Sequence, residues 1–365
     1  MEERFYWLGF SAFPAIGPSR FKKLLGRYKT AKNAWEAASP AMAGLIGEGT
    51  VGKFEDFRKG FSIEDYVKKL REKDVWFVTL KDEDYPEILK QIKNPPFVLY
   101  GRGNPSILRQ AQDSGPSVAV VGTRKTTEYG REVTKLLTTE LVLNGFTIVS
   151  GLALGVDAIS HMTALENNGK TIAVLGCGVD CCSPRENQTL YNSMLESGNC
   201  ILSEFPLGMN PTQWTFPARN RIIAGLSAAV LVTEGAEDSG SLITAEFALK
   251  FNRKVFAVPG PITSHMSKGP YKLIAKGAKL VTSGEDILKE LKVQSAKLKV
   301  AVKSLKLKNG TKEEQKILDL LQNEPLHFDE IVRKTEFKSS KLGSLLSLME
   351  IKGFVKSLDG GLYSV

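Results

Sequence analysis

The feature that most constrains the fold of this chain is a regular alternation, from about residue 117, of short apolar runs with helix-length segments. The runs are continuous in Val, Ile and Leu, which is typical of strands buried on both faces. Repeated strand–helix units predict an α/β fold, a Rossmann-like doubly wound parallel sheet. The predicted strands are SVAVVG (117–122), FTIVSG (146–151), TIAVLG (171–176), CILSE (200–204), AAVLVTE (228–234), KVFAVPG (254–260) and AKLVTS (278–283), and the predicted helices lie at about 128–144, 156–168, 185–197, 217–225, 240–250 and 269–276.

Smaller modules flank this predicted sheet. The N-terminal segment has short helical patterns broken by Gly and Pro and resembles SAM or helix-hairpin-helix modules, with a solvated helical cap as the alternative. At the other end, three helical patterns and a hairpin turned by DGG predict a winged helix. The predicted division is a helical SAM-like module (1–62), a connecting extension (63–115), the Rossmann-like domain (116–288), a Lys-rich linker (289–310) and the winged helix (311–365).

Charge and cysteine content exclude some functional classes. The formal net charge is +9, but the segment 289–310 alone carries seven lysines against one glutamate, so the total charge does not by itself indicate a nucleic-acid binder. The four cysteines have neither disulfide nor zinc-site spacing and are interpreted as packing residues. The N-terminus has no signal-peptide pattern and the longest apolar runs are too short for a membrane span, so a cytoplasmic location is expected.

Ligands of open parallel sheets bind beyond the carboxyl ends of the strands, which makes the loops after the strands the candidate sites. After the first strand, Gly122 permits a tight exit, and Arg124 and Lys125 supply positive charge. The spacing there is neither GxGxxG nor GxxxxGK[ST], so neither a dinucleotide fingerprint nor a P-loop is predicted. No cofactor is expected.

The loop after the second strand, SGLALGVDAISH, predicts an anion site at a helix start. Gly151 and Gly155 allow backbone amides to approach an anion there. Asp157 and His161 are four residues apart and share a helix face. The chain has three histidines and no further ligand at metal spacing, so a helix cap by Asp157 and a structural His161 are favoured over a metal or acid–base pair.

The segment FPARNRIIAG (216–225) places two arginines at a predicted helix start. Arg219 and Arg221 are two residues apart and project about 200° from each other, so they cannot share one role. One is expected to hold a phosphate, while the other braces the scaffold against Glu234 or Glu204. Residue types alone leave open whether Phe216 stacks a base or packs in the core.

The loop after the fifth strand predicts a second anion-binding helix start. Ser239 and Gly240 open a helix with small donor groups. Glu234, Glu237 and Asp238 would repel a phosphate unless they were countered. Salt bridges between these carboxylates and the arginines are therefore expected.

Together these motifs resemble the DNA-processing protein A (DprA/Smf) family. The resemblance covers about 110–290, and the flanking helical module and winged helix also match family members. The matching motifs are VAVVGTR with a trailing YG (118–130), SGLALGVD…H (150–161), GKTIAVLGCGVD…P…N (169–187), SEFPLG…P…FPARNRIIAGLS (203–227), SGSLITA (239–245) and VFAVPG…G…LI..GA (255–278).

The resemblance implies a protein without catalytic activity that binds single-stranded DNA, protects incoming DNA and loads a RecA-type recombinase in natural transformation. It also implies a homodimer formed through the Rossmann-like domain. Gln213 stands where some members carry a basic residue, and Cys182-Ser183-Pro184 replaces a Tyr-Pro. Arg219 is our choice for the phosphate contact. The implied DNA-binding residues are Gly122, Arg124, Lys125, Ser150, Gly151, Phe216, Arg219, Arg221, Ser239 and Gly240.

Two other functions compete with this interpretation. SGSLITAEF loosely resembles the catalytic loop of nucleoside-monophosphate phosphoribohydrolases, with Glu246 in the place of the acid, although the Pro-Gly-Gly opening of that loop is missing. A regulator that binds double-stranded DNA through the winged helix is disfavoured, because that module has a net charge of −1, from eight Lys and Arg against nine Asp and Glu in 311–365.

Overall fold

A computed structural model describes residues 1–108, 116–292, 311–321, 324–351, 354–358 and 360–364. The chain divides into two compact units, Met1–Gln294 and Ser295–Val365. Most of the predicted Lys-rich linker, 293–310, lies outside the described residues, as does the end of the predicted extension, 109–115.

Within the described residues, the first unit is built on a nine-stranded sheet in the order β1-β2-β6-β5-β4-β3-β7-β8-β9. Strands β3 to β9 are parallel to one another, β2 pairs antiparallel with β6, and β1 pairs antiparallel with β2 at the edge of the sheet. The strand order reverses between β3 and β7, which is the topological switch point of a doubly wound sheet. The strands are β1 Trp76–Thr79, β2 Val98–Gly103, β3 Ser117–Val121, β4 Thr147–Ser150, β5 Thr171–Val174, β6 Cys200–Ser203, β7 Ala229–Val232, β8 Lys254–Ala257 and β9 Lys279–Leu280.

Helices connect the parallel strands, and their apolar faces form the core with the sheet. Every residue of β3 to β7 is buried, which explains their continuous apolar sequences. The predicted Rossmann-like fold is confirmed. The helices that follow β3 are numbered from α8: α8 Glu128–Leu143, α9 Val156–Glu166, α10 Gln188–Glu196, α11 Thr215–Gly225, α12 Ser241–Lys250, α13 Lys268–Ala275 and α14 Gly284–Glu290, with short 3-10 turns at Arg185–Asn187 and His265–Ser267.

The N-terminal helices form a second core that is rich in aromatic side chains. Phe10 stacks on Phe54 with ring centroids 5.3 Å apart, and Phe21 stacks on Phe97 at 4.1 Å. This core continues onto β2 through Val98 and Tyr100, so the helical segment packs directly on the extended sheet. The helices are α1 Glu3–Ser11, α2 Pro18–Tyr28, α3 Ala31–Glu36, α4 Ala43–Ile46, α5 Glu48–Gly60, α6 Ile63–Glu72 and α7 Glu87–Lys90, with a 3-10 turn at Ser39–Met42.

The described part of the second unit has the three helices and small antiparallel sheet of a winged helix, as predicted. Its sheet has the order β10-β12-β11. Lys341 pairs with Glu313 at 2.5 Å and lies over the ring of Phe337. The elements are α15 Lys312–Leu321, β10 Leu326–His327, α16 Phe328–Thr335, α17 Ser339–Ile351, β11 Lys356–Leu358 and β12 Leu362–Ser364.

Candidate nucleic-acid interface

A pocket of about 490 Å³ opens at the carboxyl ends of β3 and β7, where the strand order reverses. This is the position at which doubly wound sheets bind their ligands. The loops after β3, β4 and β7 and the first turns of α11 and α12 surround it. Its polar and charged lining consists of Thr123, Arg124, Lys125, Asp157, Arg219, Asn220, Asp238, Ser239, Ser241 and Thr244, with Gly122, Phe216 and Gly240 among the other lining residues.

Arg219 lies at the base of this pocket with 5% of its surface exposed. Its Nη1 donates a hydrogen bond of 2.7 Å to the backbone oxygen of Val174, and its Nε has no hydrogen-bond partner among the described residues. Burial lowers the pKa of the guanidinium, whereas the nearby Asp157 carboxylate raises it. Because arginine stays charged in proteins, this is a buried cation with donor capacity left for an anion.

A missing side chain at Gly151 makes room for that guanidinium. A Cβ at Gly151 would lie 1.6 Å from Nη1 of Arg219 and 2.3 Å from its Cζ. Real contacts to a Cβ are about 3.5–4 Å, so no other residue fits here without moving Arg219. The sequence predicted that the backbone amide of Gly151 approaches a bound anion. In the structure, that amide donates a hydrogen bond of 3.1 Å to Oδ2 of Asp157.

Arg124 and Phe216 meet across the pocket. The Arg124 guanidinium lies 5.3 Å from the centroid of the Phe216 ring, which is within cation–π range. Arg124 and Lys125 are exposed, and Phe216 is half-buried. A smaller cavity of about 140 Å³ beside Phe216 is also lined by Arg124, Gly151 and Arg219. The aromatic ring and three cations therefore border one continuous surface.

Arg221 pairs with a buried carboxylate. It forms an ion pair with Glu204, and the two side chains are 12% and 11% exposed. Burial raises the pKa of the Glu204 carboxyl, and Arg221 opposes that shift. Arg221 is not among the residues that line the switch-point pocket. The predicted divergence of the two arginines is thus seen, with Glu204 as the partner.

Glu234 does not form the expected salt bridge with an arginine. Its carboxylate accepts hydrogen bonds from the backbone N–H of Thr127 at 2.9 Å and from the Thr127 hydroxyl, at the start of α8. A Cβ at Gly130 would lie 1.9 Å from Oε2 of Glu234, which explains the glycine that follows Tyr129. Glu237 pairs instead with Lys272 at 3.3 Å. Glu234 and Glu237 therefore do not pair with the pocket arginines.

Asp157 and His161 are both buried and occupy different networks. Asp157 does not cap α9, since the N-cap residue is Gly155, and burial raises the pKa of its carboxyl. His161 Nδ1 lies 2.6 Å from the Thr171 hydroxyl. Burial, together with Arg219, lowers the pKa of His161 to about 3, so the ring is neutral. His161 is thus placed as a structural residue.

The remaining predicted residues divide between the pocket lining and its support. Ser239 and Gly240 border the pocket, and the Ser239 hydroxyl lies 2.8 Å from that of Ser241. Ser150 is fully buried and donates 2.7 Å to the backbone oxygen of Val120, so it lies beneath the pocket and not in its lining.

The cysteines have the packing character expected of them. Burial raises the pKa of Cys177 to about 12 and that of Cys182 to about 11. Across the described ranges, no group of three or more His, Cys, Asp or Glu side chains is arranged to hold a metal ion. No helix in the same ranges is long and apolar enough to cross a membrane.

Sequence reasoning missed Asn220, which lines the pocket, and Trp214, which lies just before α11. Asn220 borders the pocket, and its Nδ2 donates a hydrogen bond of 3.3 Å to the backbone oxygen of Gly240, which links α11 to the start of α12. It is four residues after Phe216, so helical spacing could have placed both on one face. Trp214, immediately before α11, has 54% of its surface exposed, and nothing in its sequence context distinguished it from a core tryptophan.

Comparison with known proteins agrees with this architecture. The sequence model of the family described as DNA recombination-mediator protein A matches residues 76–292, and that of the DprA winged helix domain matches 303–361. The chain is 36% identical to Protein Smf of Synechocystis, over 99% of this chain and 98% of that one. It is 43% identical to the DNA processing protein DprA of Bacillus subtilis, over 63% of this chain and 78% of that one.

Solved structures are similar as well. DNA processing protein A from Streptococcus pneumoniae superposes with a TM-score of 0.67 at 36% identity, covering 79% of this chain and 97% of that one. The protein from Helicobacter pylori, whose structure is described in terms of its single-stranded DNA binding mode, has a TM-score of 0.51 at 32% identity, over 59% and 95% of the two chains. The chain therefore belongs to the DNA recombination-mediator protein A family, whose members are also named DprA and Smf.

Proposed function

We propose that this protein binds single-stranded DNA at the switch-point pocket and acts as a recombination mediator. The observation that carries the proposal is Arg219, a buried cation with an unpartnered Nε at the base of an open pocket. The Asp157 carboxylate acts on Arg219 electrostatically, but within the described ranges the two side chains form no ion pair. A phosphate would supply the missing charge and acceptor.

The pocket suits a nucleotide strand better than a compact anion. Sequence-tolerant binding of single strands combines cationic groups along the backbone with an aromatic ring for stacking. Arg124, Lys125 and Arg219 supply three cations, against Asp157 and Asp238 in the same lining. Phe216 supplies the ring, and a base would share it with the Arg124 guanidinium. Residues 116–288 carry 15 Lys and Arg against 15 Asp and Glu, so the positive charge of this patch is local.

The phosphoribohydrolase alternative gains no support from the geometry. Glu246, the residue in the place of the catalytic acid, is exposed on α12 and is not among the lining residues of the pocket. Asp157, the buried carboxyl of the lining, already accepts the Gly151 amide. The proposal is accordingly for a binding protein and not for an enzyme.

Three further parts of the proposal rest on family membership. They are loading of a RecA-type recombinase onto incoming DNA in natural transformation, a homodimer formed through the Rossmann-like domain, and a cytoplasmic location. Loading predicts that full-length protein accelerates recombinase assembly on single strands covered by a single-strand-binding protein. An unchanged assembly rate would count against that part alone.

DNA binding is tested by gel-shift competition between single- and double-stranded oligonucleotides with full-length protein. Single strands should compete more strongly, and affinity should fall as salt rises because bound phosphates release counterions. Arg124→Ala should weaken binding about equally for all sequences and reduce the salt slope by about 1. Arg71→Ala, which removes an exposed arginine on α6, is the matched control. If Arg124→Ala bound as tightly as the control, the proposed site would be wrong.

A further inference from the structure

A second cleft, of about 370 Å³, lies on the other side of the start of α11. One wall is the loop between α1 and α2 together with the first residues of α2, and the opposite wall is α11 and the segment after β6. Its volume falls within the range of small-molecule and nucleotide sites. Its lining includes Arg20, Glu204, Phe205, Trp214 and Arg221.

Trp214 is the aromatic side chain of this cleft. It has 54% of its surface exposed, and its contact with Phe205 is perpendicular, with ring centroids 5.7 Å apart. Phe205 itself is buried and fixes the position of the indole. An indole held in place but open to solvent presents area on which a planar group can stack with little further loss of side-chain entropy.

The cleft also contains positive charge. Arg20 is exposed on the wall formed by α2, and its Nη1 donates 2.7 Å to the backbone oxygen of Ala15, which holds the guanidinium near the cleft. On the other wall, Arg221 is paired with Glu204 through Nη2, while its buried Nη1 has no hydrogen-bond partner among the described residues. With one carboxylate against two guanidinium groups, the cleft favours an anionic ligand with a planar group.

The two clefts are adjacent along the chain. Trp214 and Phe216 are separated by one residue, so their Cα atoms are at most about 7.6 Å apart. Phe216 and Arg219 face the switch-point pocket, whereas Trp214 and Arg221 face the second cleft. A polymer bound at the first site therefore passes the second if it continues over the start of α11.

We propose that the second cleft is a subsite for a further nucleotide of the same DNA single strand, with its base stacked on Trp214 and its phosphate at Arg20. This inference rests on the proposed function, since it extends the path of the strand beyond Phe216. The start of α11 then separates two stacking positions.

The test uses full-length protein and oligothymidylates of about 4 to about 16 nucleotides, the span of typical single-strand site sizes. Trp214→Ala should leave the affinity for the shortest strands unchanged and weaken binding of the longest roughly 5- to 150-fold, as expected for one lost base–aromatic stack. Trp214→Phe should restore most of that loss. Arg20→Ala should weaken only the longer strands and lower their salt slope by about 1.

Ile262→Ala, which truncates a side chain that is 89% exposed and lines neither cleft, is the control for general loss of apolar surface. Equal affinity of Trp214→Ala and Ile262→Ala for every length would overturn the subsite, while a loss with Arg124→Ala in the same series would leave the proposed function standing. Weakened recombinase binding by Trp214→Ala with unchanged DNA affinity would assign the cleft to a protein partner and also overturn the inference. Normal binding by Arg124→Ala would count against the proposed function itself.

Discussion

Replacing Gly151 with alanine tests whether the close approach of this loop positions the Arg219 guanidinium. The new Cβ would lie 1.6 Å from Nη1 and 2.6 Å from Nη2, so the guanidinium has to move by about 2 Å to reach normal contact distance. Gly151 does not have a positive φ, so alanine is compatible with the backbone itself. The three closest contacts of the new Cβ are therefore all with Arg219.

The expected loss of stability follows from that displacement. Moving the guanidinium breaks the 2.7 Å hydrogen bond to Val174, and a hydrogen bond with a charged donor contributes about 1.5–3 kcal/mol. Incomplete relief of the overlap adds overpacking of about 1–3 kcal/mol. The two costs do not add fully, because moving the guanidinium relieves part of the steric overlap. Gly151→Ala should therefore lower the free energy of unfolding by about 2–4 kcal/mol.

A double-mutant cycle with Arg219→Ala isolates the contact. In the Arg219→Ala background the methyl group enters space that the guanidinium has left, and Gly151→Ala should cost less than about 1 kcal/mol. Urea unfolding followed by tryptophan fluorescence measures both values. All four tryptophans belong to the unit Met1–Gln294, so the signal reports that unit.

An equal cost of Gly151→Ala in both backgrounds would refute the contact as the reason for the glycine. If the proposed function holds, Gly151→Ala should also lose affinity for single strands to about the same extent as Arg219→Ala. Unchanged m-values would show that the two variants differ in stability and not in the compactness of the unfolded chain.

Three further predictions follow from buried groups. His161 has an unfolded-state pKa near 6.5 and a folded-state pKa of about 3, so the unfolded chain binds the extra proton between these values and stability falls as the pH falls through that window. The free energy of unfolding should fall between about pH 7.5 and about pH 5 in both proteins, and the fall should be about 2 kcal/mol larger in the parent than in His161→Gln. Parallel pH profiles of the two proteins would contradict the assignment. Arg221→Ala should destabilise the protein by about 3–5 kcal/mol because it leaves Glu204 buried without its partner, and adding Glu204→Gln should recover most of the loss in urea unfolding. The pKa of Cys182 is about 11, so little of its thiol is ionised at about pH 8. Its alkylation at that pH, followed by mass spectrometry, should be about 100-fold slower than that of the same cysteine in urea-unfolded protein. Comparable rates would show that folding does not suppress ionisation of this thiol.

Local pattern was sufficient to predict the doubly wound sheet and its helices. The helix expected at 217–225 spans Thr215–Gly225, and the strand expected at 171–176 spans Thr171–Val174. Such elements can be predicted from sequence because continuous burial and helical periodicity each produce a pattern of apolar residues within a short segment. Local pattern did not predict that β1 and β2 extend the sheet, because the antiparallel pairing of β2 with β6 joins segments about 100 residues apart.

The sequence by itself determined the fold class, the loops that form the site and the opposed directions of Arg219 and Arg221. Only the tertiary structure shows the partners of these arginines, because the partners are distant in sequence. Arg221 finds Glu204 and braces α11, while Arg219 reaches Val174 and keeps its Nε unpaired. Glu234 was expected from its residue type to pair with an arginine, but it accepts hydrogen bonds from Thr127 at the start of α8. A buried charged side chain needs a nearby group that can pair with it or accept its hydrogen bonds. Folding of the sheet creates that proximity, because it brings together strand ends that are far apart in sequence.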